Sequence, residues 1–163
     1  MKCLNCDNDA LKESGLCPEC EKMEMRKING ILYLPALGLI LSLILAPFSL
    51  FSIVRAMVIH FQQTGFIGYF GLFVVFCQLV SLLMALFAAL TFFSRKKGTR
   101  NIMIAYYGIN FVVICCMTLL PAQLFNMALD RNDIAALMSA TIGVAGWIPY
   151  FIFSKRVPVV FSK

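Results

Sequence analysis

The run INGILYLPALGLILSLILAPFSLFSIV, from Ile28 to Val54, contains no charged side chain in 27 residues. A helix needs about 20 apolar residues to cross a hydrocarbon core of about 30 Å at 1.5 Å per residue. This stretch is therefore long enough to span a bilayer. Three more uncharged stretches follow, at Ala56–Ser94, Asn101–Leu129 and Ile134–Ser154. The pattern predicts an all-α membrane protein, a four-transmembrane-helix bundle, with spans at about 28–50, 66–93, 102–124 and 134–153. The stretch from Ala56 is too long for one straight crossing, and His60, Gln62, Gln63, Thr64 and Gly65 read as a turn within it. Residues 48–61 either continue the first helix past Pro47 or lie flat at the interface, and the sequence leaves both open.

Composition agrees. Apolar residues make up 61% of the chain and charged residues 13%, against roughly 45–50% and 25% in soluble domains. That is too little polar surface to cover a water-soluble core. The first 27 residues are polar and cysteine-rich, unlike the basic start and apolar core of a secretory signal, so the apolar segments are expected to be retained.

Lys and Arg set the orientation. The N-terminal segment carries Lys2, Lys12, Lys22, Arg26 and Lys27, the loop between spans two and three carries Arg95, Lys96, Lys97 and Arg100, and the C-terminal tail carries Lys155, Arg156 and Lys163. The other two loops hold only Arg55 and Arg131. The positive-inside rule places both termini in the cytoplasm, and only an even number of crossings fits that alternation. The net charge of +6 is then an orientation signal and an attraction to anionic lipid, and nucleic acid is not expected as a partner.

Ahead of the spans stand Cys3, Cys6, Cys17 and Cys20, spaced C-x2-C-x10-C-x2-C. Two such pairs can complete a tetrahedron around Zn²⁺, with Gly15 and Pro18 supplying turn chemistry in between. Stable disulfides are disfavoured in a reducing compartment, and a thioredoxin-like pair needs a βαβ domain that twenty residues cannot build. Leu4, Leu11 and Leu16 make no core. Metal binding, with apparent energies of about 10–16 kcal/mol for structural zinc, would supply the folding energy. Structural Zn²⁺ is the expected cofactor, with an iron–sulfur centre or another metal as the alternative. The expected site is closed and not catalytic. Lys2 and Lys12 are outnumbered by Asp7, Asp9, Glu13 and Glu19, so the module should repel phosphate backbones and suits a cytoplasmic protein partner or a neighbouring subunit.

The expected spans hold no Asp, Glu, Lys or Arg, which disfavours a self-contained proton-driven transporter. Gln78 and Asn110 are the candidate intramembrane polar contacts, read first as helix–helix hydrogen bonds and second as a pore or pocket lining. Gly38 with Ser42, Ala85 with Ala89, and Ser139 with Gly143 stand at packing intervals. Cys77, Cys115 and Cys116 read as small packing residues, His60 as a surface residue, and Trp147, Tyr33, Tyr106, Tyr107 and Tyr150 mostly as interfacial anchors.

Two stretches, Asn29 to Leu39 (NGILYLPALGL) and Trp147 to Val157 (WIPYFIFSKRV) with the Val160-Phe161 tail, carry a resemblance. They are similar to motifs of the YdgK-like bacterial inner-membrane proteins, a four-pass family of unknown function. The family usually has Gly-Trp-Leu where Gly30-Ile31-Leu32 stand, and Lys and Thr after the Arg-Val pair where Pro158 and Val160 stand. The resemblance covers residues 28–163, leaves the cysteine module outside it, and implies a bacterial inner-membrane location with no assigned activity.

Three readings of the whole are carried forward. The first is a non-enzymatic adaptor or regulator docking a cytoplasmic protein through its zinc module, with the basic loop at Arg95, Lys96, Lys97 and Arg100 beside it. The second is a pore or transporter built from oligomers. The third is a membrane enzyme, for which no nucleophile, base and orienter set is visible.

Overall fold

The computed structural model describes residues 2–6, 8–9, 15–25, 30–154 and 156–161, with the side chains at 22, 24 and 25 also left aside. Asp7, Leu11, Lys12, Glu13, Arg26, Lys27, Lys155 and Lys163, and the expected start of the first span at 28–29, lie outside the described residues. A short helix, α1 (Pro18–Met25), belongs to the cysteine segment. A single 3₁₀ turn at Gly30–Leu32 leads into α2 (Tyr33–Thr64), followed by α3 (Tyr69–Phe93), α4 (Thr99–Phe125), α5 (Arg131–Phe153) and a final turn of helix, α6 (Val157–Val160). Among the described residues there is no strand beyond an isolated antiparallel bridge between Lys2 and Asp9.

The four long helices are each apolar enough to cross a membrane, yet only 6–22% of their most apolar windows is buried within the protein. Phe48, Phe51, Leu90 and Ile142 point outward. In water such a surface would aggregate. In hydrocarbon it is the solvated face, and the backbone polar groups are satisfied within each helix. The chain is a multi-pass membrane protein.

α2 continues through Pro47 and past His60, so residues 48–61 extend the first helix and do not lie flat. The expected turn at 60–65 shrinks to its last residue. His and Gln are tolerated in helices, and the first residue that ends this one is Gly65, whose φ of 69° is left-handed and whose N–H donates to the Phe61 carbonyl at 2.7 Å. Four residues then connect to α3, with Gly68 as its N-cap. α2 and α3 are antiparallel in a register fixed by Gln78 opposite Ser49 and Gly71 beside Met57.

α4 opens three residues ahead of the expected 102, which brings Arg100 into its first turn. α5 likewise opens at Arg131, because Asp130 and Asp133 form a reciprocal capping box: Asp133 N–H donates to Asp130 Oδ1 at 2.8 Å, and Asp130 N–H to Asp133 Oδ2 at 3.1 Å. Successive helices pack closely, α2 on α3, α3 on α4 and α4 on α5. Arg95, Lys96, Lys97, Arg100 and Arg156 gather at one end, called here the basic end, while Arg55, Asp130, Arg131 and Asp133 belong to the other. The buried core lies at the basic end: Leu32, Ala36, Leu39, Ala88, Phe92, Met103, Phe151, Val157 and Phe161.

Candidate functional site

The cysteine segment folds around its thiols. Cys3 N–H donates to the Asn8 carbonyl at 2.9 Å and Leu4 N–H to the Gly15 carbonyl at 3.2 Å, so the chain leaves the first pair and returns to it. Gly15 makes that return possible with a φ of 65°. Pro18, expected in a turn, stands instead at the first position of α1, where its missing N–H costs nothing. α1 thereby places Cys20 one turn after Cys17.

All four sulfurs lie within 4.8 Å of one another. Cys6 Sγ is 3.4 Å from Cys17 Sγ and 3.6 Å from Cys20 Sγ. A tetrahedron with metal–sulfur bonds of about 2.3 Å has edges of about 3.8 Å, so the donor set fits a tetrahedral metal ion. Cys3, Cys17 and Cys20 are buried and Cys6 half-buried. The Cys17 N–H donates to Cys3 Sγ at 3.2 Å and the Cys20 N–H to Cys17 Sγ at 3.4 Å.

Those backbone donors sort the thiols. Cys3 is lowered to about 6, first by the Asn5 backbone N–H and then by that of Cys17. Cys17 is lowered chiefly by the Cys20 backbone N–H. The Asn8 backbone pulls Cys6 down, but its contacts with Cys17 and Cys3 and its burial leave it raised. Cys20 is pushed up to about 12 by the neighbouring Cys17 and Cys6 sulfurs and by burial. The cluster thus divides into two lowered and two raised thiols, and a bound cation would favour the thiolate at all four.

The intramembrane residues part company. Gln78 Nε2 donates to Ser49 Oγ at 3.1 Å and ties α3 to α2, the helix–helix contact expected of it. Asn110 Nδ2 instead donates to the Tyr106 carbonyl at 2.9 Å, one turn back in its own helix. The second cross-bundle bond is one that the pattern missed: Tyr106, expected as an interfacial anchor, is buried and its hydroxyl donates to Ser42 Oγ at 3.1 Å. Ser42, Gln78, Ser81, Tyr106, Asn110 and Thr118 all border one cavity of about 310 Å³ between the helices. Ala85 and Ala89 are buried as packing residues. Gly38 and Gly143 are not tight contacts, since a Cβ added at either would meet nothing within 4 Å. His60 is exposed. Arg95 and Arg100 are half-buried and Lys96 and Lys97 exposed, all in or beside the α3–α4 connection.

Fold and site together define a class: four-helix, multi-pass membrane proteins with an N-terminal cysteine cluster able to hold a metal ion. Residues 25–162 match the family described as "Protein of unknown function (DUF2569)", and the chain belongs to that family. The match takes in all four spans and α6 and begins after the cysteines. No curated protein and no solved structure matches the chain.

Proposed function

We propose that this protein is a non-enzymatic membrane adaptor or regulator whose N-terminal cysteines hold a structural Zn²⁺ and present a docking surface to a cytoplasmic protein. The observation that carries the reading is the contrast inside the cysteine segment. The sulfurs converge while Leu4, between the first two of them, is 86% exposed. A loop held by a metal and turning Leu4 outward offers that side chain as a point of contact for a partner. A single ion such as Zn²⁺ is preferred to an iron–sulfur cluster because the four sulfurs lie within 4.8 Å of one another, the spacing of donors around one tetrahedral metal. The basic end supports cytoplasmic termini by the positive-inside rule. The resemblance to the YdgK-like proteins supports a bacterial inner membrane.

Replacing Cys3 and Cys6 with Ser should remove stoichiometric zinc and abolish co-purification of the partner, with membrane insertion unchanged. Leu4→Asp should keep the zinc and lose the partner. Partner recovery that survives both changes removes the adaptor reading. The cavity between the helices, with Gln78 and Asn110 on its wall, favours a second reading, an oligomeric pore or transporter. It requires flux across liposomes carrying the purified protein, altered by Gln78→Leu and Asn110→Leu.

A further inference from the structure

At the basic end, the connection between α3 and α4 is held by an internal set of bonds. Arg95 N–H donates to the Phe92 carbonyl at 3.1 Å and Lys96 N–H to the Thr91 carbonyl at 3.3 Å. The Thr99 hydroxyl, fully buried, reaches the carbonyls of Thr91 at 2.9 Å and Lys96 at 2.7 Å. Facing this turn, α6 folds back on the bundle: Val157, Val160 and Phe161 are buried, and the Phe161 ring sits 5.0 Å from that of Phe92. Between turn and tail lies a cleft of about 320 Å³, lined by Lys97 and Arg100 and by Val157, Pro158 and Phe161. Two cations thus share it with an apolar wall.

Arg100 carries the argument further. Its Nε is shielded from solvent and finds no acceptor among the described residues. A buried guanidinium N–H without an acceptor is costly, and an oxyanion relieves the cost with charge-assisted, often bidentate bonds. Arg100 is also the second residue of a 27-residue helix whose N-cap, Gly98, gives no side-chain bond. The positive end of the helix dipole therefore adds to the two side-chain charges. No carboxylate lines the cleft among the described residues. Arg95 and Lys96 in the same turn add to the positive field.

We infer that this cleft binds the phosphate of an anionic phospholipid, with Arg100 and Lys97 on the phosphate oxygens and Val157, Pro158 and Phe161 against the glycerol and first methylenes. The shared chemistry is a phosphate oxyanion, which a soluble phosphate could also supply. The apolar wall and the position at the end of the spans, where basic pockets meet headgroups, favour the lipid. The inference does not rest on the cysteine module.

The test is native mass spectrometry of the full chain released from micelles containing phosphatidylglycerol or phosphatidylcholine, repeated with millimolar inorganic phosphate. Retention of phosphatidylglycerol should exceed that of phosphatidylcholine by about tenfold. Arg100→Gln should weaken it about tenfold, and Arg100→Lys, which keeps the charge and loses the fork, by less. Arg55→Gln, at the other end, should leave it unchanged. Lys97→Gln changes an exposed side chain and repeats the test should Arg100→Gln fail to fold. Equal retention of the two lipids, or phosphatidylglycerol still held by both Gln variants, overturns the proposal. Displacement of the lipid by inorganic phosphate overturns the lipid assignment in favour of a soluble phosphate.

Discussion

The two ends of the helix bundle are built on different terms. At the basic end Leu32, Phe92, Met103 and Phe151 are sealed completely, α6 closes over them, and Thr99 pins the connecting turn. At the other end Phe125, Met127 and Leu129 stand exposed, and between the two ends the helices part around a cavity bordered by both polar and apolar side chains, Gln78 and Asn110 beside Val113 and Met117. Lipid tails are as apolar as leucine, so hydrophobic burial does not drive helices together within a bilayer, and shape and hydrogen bonds must do so. This chain concentrates shape at one end. The Tyr106–Ser42 bond lies at the boundary, bordering the cavity.

The most severe way to probe the contrast is to ask whether the packed end depends on the module that precedes it. Stripping metal with a chelator should unfold the cysteine segment, which loses about 10–16 kcal/mol of apparent binding energy. The far-UV circular dichroism melt of the spans should not move. A melt that shifts with the chelator would join the module to the bundle. Acid should act on the same segment. Because the Cys3 value is depressed from 9.0 to about 6, its thiolate favours the folded knuckle fully above 9.0, and that contribution is lost as pH falls through about 6. A bound cation holds the thiolates against protonation, so metal content after stepwise dialysis should persist at neutral pH and drop only as the pH is taken below about 6.

Next in size, Phe92→Ala should cost about 3 kcal/mol or more in detergent unfolding. Phe125→Ala, whose ring meets only Phe70 edge-on at 5.4 Å among the described aromatic contacts, should cost less than about 1 kcal/mol. Similar losses at both sites would erase the contrast. Tyr106→Phe removes a single interhelical bond and should cost about 0.6 kcal/mol. Smallest is Arg95→Gly. Arg95 has a φ of 54°, a conformation glycine adopts without penalty, so the variant should gain about 0.5 kcal/mol in the same unfolding assay.

The four spans could be read directly because charge-free runs of that length have one physical solution, and the cysteine cluster because its spacing dictates where two pairs of sulfurs can meet. What lay beyond the pattern depended on partners distant in the chain. Tyr106 read as an anchor because nothing near it in sequence marks Ser42 as its acceptor. Residues 157–160 form a turn too short to have a periodicity, and their burial comes from Phe92 and the bundle. The early start of α5, by contrast, was legible: Asp130 and Asp133 have capping-box spacing, but the apolar count set the boundary at Ile134. At the α2–α3 corner, Gly65 alone ends the helix, and the polar residues ahead of it stay helical.

The length of α2 has a consequence for anything that meets the protein from the side of Arg55. Its 32 residues extend about 48 Å at 1.5 Å per residue, against a hydrocarbon thickness of about 30 Å. From Pro35, sealed at the basic end, about 30 Å of helix reaches Arg55. Held upright with Pro35 at one hydrocarbon boundary, α2 carries its last turns and the corner at 65–68 past the lipid on the far side. That corner is the natural place for an epitope: a tag inserted after Gly65 should be read by antibody on sealed vesicles from one side only.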